Sequence, residues 1–222
     1  MSRLSHILAG GVALAGLALS SAQAAPIVTT PPDYAYSTSL TNLLSGGFVL
    51  DQQDKIYSDF TANAALTAIA SNLTANFSLI SLPPVDHHSL NIADPTGFAI
   101  AAGTYTLSYV LQVAAGSPAI IVSADGGLDT TEVNSTLLKV LANAGGTTIA
   151  SGGPGTSFTI PISPGVKYLA VTDTLTVNGS GDLLYSFTNT YTENNVPAPE
   201  PASLALLGAG LAGLGFARRR RG

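Results

Sequence analysis

The sequence predicts an all-β protein: an antiparallel β-sandwich of the Ig-like or jelly-roll-like kind, flanked by an N-terminal signal helix and a C-terminal apolar helix. Two observations support the prediction of a β-sandwich. Apolar and polar residues alternate with a period of two, most clearly in GTYTLSYVLQV over residues 103–113. Glycine and proline clusters also interrupt the chain at short intervals, as at Gly116-Ser117-Pro118. Short alternating strands with frequent turns are typical of antiparallel sandwiches.

The N-terminus has the features of a secretory signal peptide. Arg3 precedes a thirteen-residue apolar run over 7–19, and Ala22 and Ala24 frame the small-x-small pattern that signal peptidase recognises. A membrane-spanning helix needs about 20 apolar residues, so the run is too short to be an anchor. We predict a signal peptide over 1–24, cut before Ala25, and a proline-rich, extended lead-in over 25–36.

Residues 37–193 are predicted to form the sandwich domain. The predicted strands cover residues 73–80, 103–113, 119–123, 131–141, 156–162, 169–177 and 183–191. The last two are expected to form a hairpin around the turn at 178–182. Asp125-Gly126-Gly127 is also expected to be a turn, and the alanine-rich stretch 59–71 is ambiguous between strand and short helix.

Composition excludes several classes of function. Between residues 25 and 199 there are three lysines, no arginine and twelve acidic residues, a net charge of −9. Nucleic-acid binding requires clustered basic residues, so no nucleic-acid partner is expected. The chain has no cysteine, which excludes disulfides, iron–sulfur sites and a thiol nucleophile.

Candidate catalytic and metal-binding residues are few. His87 and His88 are adjacent, and no third ligand lies near them with metal-site spacing, so we interpret them as part of a polar surface loop. Neither a Gly-x-Ser-x-Gly motif nor a phosphate-binding loop occurs in the body. Acidic residues near 51–59 and 125–129 leave calcium binding open without specifying ligands. We therefore predict no catalytic residue, no metal ligand, no cofactor and no enzymatic activity.

The aromatic residues of the body are interpreted as core. Tyr105, Tyr109, Tyr185 and Tyr191 fall at alternating positions of predicted strands, which packing explains without a sugar-binding platform.

The chain ends in a three-part segment over 194–222. A polar linker leads to Pro199, Glu200 and Pro201, and an uncharged, mostly apolar run follows over 202–217. As a helix, these sixteen residues would be about 24 Å long, against about 30 Å for a hydrocarbon core. A basic stop follows the run and would remain on the cytoplasmic side of the membrane: Arg218, Arg219, Arg220 and Arg221.

This order of parts closely resembles the PEP-CTERM sorting signal of Gram-negative bacteria. The match rests on Pro199-Glu200-Pro201, the short apolar helix and the arginine cluster. The resemblance implies that an exosortase, a membrane-embedded transpeptidase, cuts at or near this triplet. The protein would then be anchored transiently by its C-terminal helix, facing the periplasm, and released to the envelope or exterior. Family members are linked with exopolysaccharide and biofilm, which implies an exopolysaccharide partner.

Three hypotheses follow for the body. The first is a non-enzymatic protein of the cell surface or extracellular matrix. The second is a carbohydrate-binding or adhesive module, which an exposed row of tyrosines would support. The third is an exported hydrolase, which two close carboxylates in a cleft would support.

Overall fold

The computed structural model describes residues 27–30, 35–82, 85–94, 101–130, 135–179 and 184–195. Thirteen β-strands account for most of them. In chain order, β1 to β13 are Ile27–Thr30, Tyr36–Ser39, Val49–Gln52, Lys55–Ala62, Thr74–Leu82, Val85–Ala93, Gly103–Val113, Ala119–Thr130, Thr136–Ala142, Thr148–Gly155, Ser157–Val166, Tyr168–Val177 and Leu184–Asn195.

The strands form two sheets, which confirms the predicted all-β sandwich. The first sheet has seven strands in the order β1-β3-β4-β7-β12-β9-β10, and the second has six in the order β11-β8-β13-β6-β5-β2. The neighbours pair antiparallel except β1 and β3, which are parallel. β12 and β13 lie inside their respective sheets, with a neighbour on each side.

The core fills the space between the two sheets. Its buried side chains come mainly from alternate positions of the central strands, such as β7 and β12, as the period of two requires. An aromatic group lies at its centre: Tyr57 meets Phe77 edge-on with ring centroids 5.0 Å apart, and Phe60 stacks on Tyr109 at 5.4 Å. Offset and edge-to-face contacts of this kind add to the hydrophobic stabilisation of a core.

Two short helices join strands in the first half of the chain. Helix α1 is Leu40–Leu43 and helix α2 is Ala64–Ile69, followed by a 3-10 turn over Ala70–Asn72. The side chain of Asn63 caps α2 by accepting a hydrogen bond from the Leu66 amide at 3.0 Å. The ambiguous stretch 59–71 therefore contains both structures, the end of a strand and then a helix.

The predicted hairpin between the last two strands is wrong. β12 pairs with β7 and β9 in the first sheet, whereas β13 pairs with β6 and β8 in the second. The chain crosses from one sheet to the other between Val177 and Leu184. Alternation indicates that both strands have one buried face, but it does not indicate which sheet each strand joins.

The predicted turn at 125–127 is also wrong, because these residues lie within β8. A Cβ atom at Gly126 would lie 2.4 Å from Cζ of Phe158, on the neighbouring strand β11. Gly126 is therefore needed for the close approach of an aromatic ring rather than for a change of chain direction.

The histidine pair does not form a surface loop. His87 and His88 lie within β6, so their side chains point to opposite faces of the second sheet, and His88 is fully buried. The interpretation of the tyrosines as core residues is correct for Tyr105, Tyr109 and Tyr191 but wrong for Tyr185, which is 36% exposed.

Candidate functional site

The predicted processing residues lie outside the described part of the chain, so their roles remain predictions. They are Ala22 and Ala24 of the signal-peptidase site, Pro199, Glu200 and Pro201 of the sorting motif, and Arg218, Arg219, Arg220 and Arg221 of the basic stop.

Two groups of charged side chains are buried between the sheets. The first, here called the Lys139 cluster, contains Lys139, Asp173 and Asn189, and all three residues are at most 1% exposed. Each occupies an inward position that is flanked along its strand by apolar inward residues. Burying charged groups costs free energy unless they are paired and hydrogen-bonded, so each such group needs an explanation.

The three side chains of the Lys139 cluster form a closed triangle of hydrogen bonds. The Lys139 Nζ donates to Asp173 Oδ1 at 2.6 Å and to Asn189 Oδ1 at 2.5 Å. The Asn189 Nδ2 donates to Asp173 Oδ2 at 2.7 Å. The two oxygens of one carboxylate therefore contact two different nitrogens.

Strand register creates this triangle. Lys139 on β9 and Asp173 on β12 are direct cross-strand partners in the first sheet. Asn189 reaches them from β13 in the second sheet, so the cluster bridges the sandwich.

Aromatic rings border the Lys139 cluster. The Lys139 Nζ lies 5.6 Å from the centroid of the Tyr191 ring, which is a cation–π distance. The hydroxyls of Tyr191 and Tyr109 form a hydrogen bond of 2.5 Å across the sandwich. Burial raises the pKa of both phenols well above the usual range, so they stay neutral.

Burial also affects the amine itself. It lowers the pKa of Lys139, and the negative charges of Asp173 and Asp125 offset this only in part. At a given pH, a larger fraction of Lys139 is therefore in the neutral amine form than of an exposed lysine.

The second group, here called the Lys55 cluster, contains Asp54, Lys55, His88 and Glu193, together with Gln52, whose Oε1 lies 3.5 Å from His88 Nδ1. The Lys55 Nζ donates to Asp54 Oδ1 at 2.8 Å and is in direct contact with Glu193 Oε2. The His88 Nε2 lies 2.9 Å from Glu193 Oε1. Lys55, His88 and Glu193 are at most 1% exposed, so this cluster is also closed to solvent on most sides.

Asp54 is the outermost member of the Lys55 cluster, with a side chain 21% exposed. Partial burial tends to raise the pKa of its carboxyl, but hydrogen bonds from Lys55 and from Ser117 Oγ, the latter at 2.6 Å, outweigh this and lower the pKa. The carboxylate is therefore ionised at neutral pH.

Asp54, His88 and Glu193 bring three potential metal-ligand atoms within 4.8 Å of one another. They do not fit a divalent metal ion, because the Lys55 ammonium contacts a carboxylate oxygen of both Asp54 and Glu193. A lysine already supplies the positive charge that these carboxylates require, and an added cation would be repelled by it.

Sequence reasoning did not identify either cluster. One signal was available: Lys139, Asp173 and Asn189 each interrupt an apolar inward face, as Asp173 does between Val171 and Leu175. A polar residue on such a face marks a buried partner, although not which strand supplies it. His88 gave no equivalent signal, because its neighbours do not show a clear apolar face.

A family model described as "PEP-CTERM protein-sorting motif" matches residues 197–221. The chain carries a PEP-CTERM sorting motif. It therefore has the signal for export and for membrane-associated sorting to the cell envelope by an exosortase. Within the described residues, no helix has the length and apolar character needed to cross a membrane, and the predicted helix over 202–217 lies outside them.

Curated proteins gave no match. Similar solved structures include an arabinose-bound GH51 α-L-arabinofuranosidase, with 15% identity, a TM-score of 0.24, and coverage of 60% of this chain and 24% of that one. A family 43 arabinoxylan arabinofuranohydrolase from Bacillus subtilis has 14% identity, a TM-score of 0.23, and coverage of 70% and 42%. This chain thus spans less than half of either protein, and likenesses this weak carry no argument about function.

Proposed function

We propose that this protein is a non-enzymatic component of the bacterial cell surface or extracellular matrix, exported through the inner membrane and released by an exosortase. Before release, the C-terminal helix anchors it with the sandwich facing the periplasm. After release, it resides in the envelope or outside the cell, in association with exopolysaccharide.

The position of β13 carries this proposal. β13 ends at Asn195, and the sorting motif begins at residue 197. The signal therefore follows directly from a strand that lies inside the second sheet, between β8 and β6. A sorting event at the motif would leave the sandwich intact, because cutting near Pro199 removes none of its described strands.

The buried clusters support a non-enzymatic role. Their charged groups are the obvious candidates for acid–base chemistry, but all except the partly exposed Asp54 are buried in the core, where no substrate of appreciable size could reach them. One surface groove of about 440 Å³ lies between β10 and β11. Its lining has no ionisable side chain: Asn143, Ile149, Ala150, Pro161, Ile162, Ser163, Pro164 and Val166.

The outer face of the second sheet supports the polysaccharide partner. Uncharged hydrogen-bonding groups pair in a ladder between β6 and β13, with Ser89 Oγ 3.1 Å from Thr190 Oγ1 and the Asn91 Nδ2 donating to Thr188 Oγ1 at 2.7 Å. A strip of hydroxyl and amide groups offers donors and acceptors to sugar hydroxyls.

The alternatives have less support. Large hydrophobic residues exposed in the described part of the chain are Ile80, Ile149 and Tyr185, which lie on three different strands and form no aromatic row. A hydrolase needs two carboxylates facing a substrate, whereas Asp54 and Glu193 are joined by the Lys55 ammonium.

Intact-mass analysis of the protein from envelope and medium of its own host tests the proposal. We expect a form that begins at Ala25 and ends near Pro199–Pro201. The same form should be missing from a host that lacks its exosortase. Replacing the Pro199-Glu200-Pro201 triplet with alanines should also prevent it, whereas the control Val196→Ala, just outside the matched segment, should be processed normally.

A chain that begins at Ala25 and still ends at Gly222 in the exosortase-positive host would contradict sorting and release. Binding to the host's purified exopolysaccharide is measured separately by co-sedimentation. A processed protein that does not co-sediment would contradict the polysaccharide partner while leaving sorting intact.

A further inference from the structure

The Lys139 cluster has the arrangement of two reactants and a proton carrier. We propose that the Lys139 amine and the Asn189 side-chain amide form an intramolecular isopeptide bond, with release of ammonia. The bond joins β9 of the first sheet to β13 of the second. Asp173 transfers the protons.

Proximity is the first argument. The Lys139 Nζ lies 2.5 Å from Asn189 Oδ1, so the amine is beside the carbonyl group that it would attack. Both side chains extend from strands that are paired on both sides, so the reactants are held together by the fold. Fixing two reactants in a near-attack geometry can accelerate their reaction by many orders of magnitude.

The environment of the amine is the second argument. An ammonium has no lone pair with which to attack, and burial favours the neutral amine at Lys139. Desolvation in an apolar pocket is a recognised way to make a lysine nucleophilic. Exclusion of water also protects the amide product from hydrolysis.

Asp173 provides the third argument. Its Oδ1 is 2.6 Å from the attacking nitrogen of Lys139, and its Oδ2 is 2.7 Å from the leaving nitrogen of Asn189. One carboxylate therefore contacts both atoms between which protons must move. Both contacts are within the distance at which a general acid or base operates.

The atoms and charges of the reaction balance. The Lys139 ammonium gives one proton to Asp173, and the resulting amine attacks Cγ of Asn189. A second proton leaves the attacking nitrogen through Asp173, and Nδ2 receives both as its bond to Cγ breaks. The new bond joins Nζ to Cγ, ammonium is released, and Asp173 returns to its starting form. No oxidant, reductant or other co-reactant is required.

Asn189 rather than Asp173 is assigned as the electrophile. Attack on an ionised carboxylate would place a second negative charge on its oxygens, whereas the Asn189 amide is neutral. The Lys55 cluster offers no comparable arrangement, because the partners of its Lys55 ammonium are the carboxylates of Asp54 and Glu193.

The bond would fasten the strand that leads into the sorting motif. β13 would be tied covalently to the opposite sheet eight residues before the start of the match at 197. Pulling or proteolysis at the C-terminal side of the domain would then not release β13. This gives a chain without cysteine a covalent tie between its sheets.

Mass spectrometry of the full chain, purified from its host and unfolded, tests the proposal. After the two termini have been identified, we expect a mass about 17 Da below that calculated, which is the mass of one ammonia. Trypsin should cut the unfolded chain after the exposed Lys167 but not after Lys139. A branched peptide should join the segments that contain Lys139 and Asn189.

The Asp173→Asn variant keeps the size of the side chain and both reactants but removes the proton carrier, so it should show the full calculated mass. The matched control is Asp86→Asn, which alters another buried carboxylate on β6 and should retain the deficit. Circular dichroism of both variants establishes that they contain the native β-structure.

The wild-type protein decides the question even if Asp173→Asn does not fold. A full calculated mass together with tryptic cleavage after Lys139 would overturn the proposal. A deficit of about 17 Da within an unbranched peptide would indicate a cyclised asparagine and would also overturn it. A deficit of about 18 Da with a link from Lys139 to Asp173 would overturn the assignment of Asn189.

Discussion

Replacing Lys55 with methionine should destabilise the sandwich by about 3–5 kcal/mol at neutral pH, because it removes one partner of a buried ion pair. Methionine retains the unbranched stem of the lysine, so the change removes the ammonium with little loss of packing. The ammonium contacts Asp54 Oδ1 at 2.8 Å and Glu193 Oε2 directly. Glu193 is only 1% exposed, so water could not replace the lost partner.

The two partners of the Lys55–Glu193 pair should not be equivalent. Glu193→Gln leaves Lys55 paired with Asp54 and leaves an acceptor for His88, so it should cost only about 1 kcal/mol. The Lys55→Met/Glu193→Gln variant should be about 2–3 kcal/mol more stable than the sum of the two single effects. The free energy of unfolding of a typical domain is about 5–15 kcal/mol, so these differences are large enough to measure.

Equilibrium urea denaturation of the mature protein at neutral pH measures these free energies of unfolding. The control is Lys167→Met, which removes an exposed ammonium that donates one hydrogen bond to the Ser117 carbonyl, and it should cost no more than about 1 kcal/mol. The reasoning is refuted if Lys55→Met costs no more than Lys167→Met. It is also refuted if the effects of the two single substitutions at Lys55 and Glu193 simply add.

Two further predictions concern pH and packing. The pKa of Asp54 is lowered from its usual 3.8, so its contribution to stability is present above that pH and is lost as pH falls through the lower folded value. Over that acidic range the wild type should lose more stability than the Asp54→Asn variant. Acid denaturation monitored by circular dichroism measures this loss. Parallel denaturation curves for the two proteins would contradict the prediction. Gly126→Ala should lower the free energy of unfolding by about 1–3 kcal/mol, because its Cβ would lie 2.4 Å from the Phe158 ring. The matched control is Gly127→Ala, because the space around its added Cβ is open. Equal denaturation midpoints for the Gly126→Ala and Gly127→Ala variants would contradict the packing argument.

Several strands were predictable because burial on one face leaves a periodic trace in the sequence. The predicted strand over 103–113 has the observed bounds of β7. The predicted strand over 169–177 starts one residue later than β12 starts and ends at the same residue. The strand β6 was not predicted, because its Val85-Asp86-His87-His88 sequence places polar residues on the buried face. Alternation of hydrophobicity fails as a signal where polar groups are buried together with partners.

Glycine gave a misleading signal at Gly126. A glycine next to another glycine usually marks a turn, since both residues tolerate unusual backbone angles. Here the requirement comes from the ring of Phe158, which lies about 30 residues away in sequence and on a neighbouring strand. No local pattern distinguishes these two reasons for a glycine.

The sequence by itself determined the sandwich class and the sorting motif, because both depend on short-range patterns. The sandwich class follows from alternation within single strands, and the sorting motif follows from the order of its three parts along the chain. Only the tertiary structure decided which strands pair and which buried groups meet. Lys139, Asp173 and Asn189 lie on three strands of two sheets, and their hydrogen bonds depend on the registers of all three. Register and sheet assignment arise from the packing of the whole domain, so the chemistry of this cluster could not be derived from any single segment.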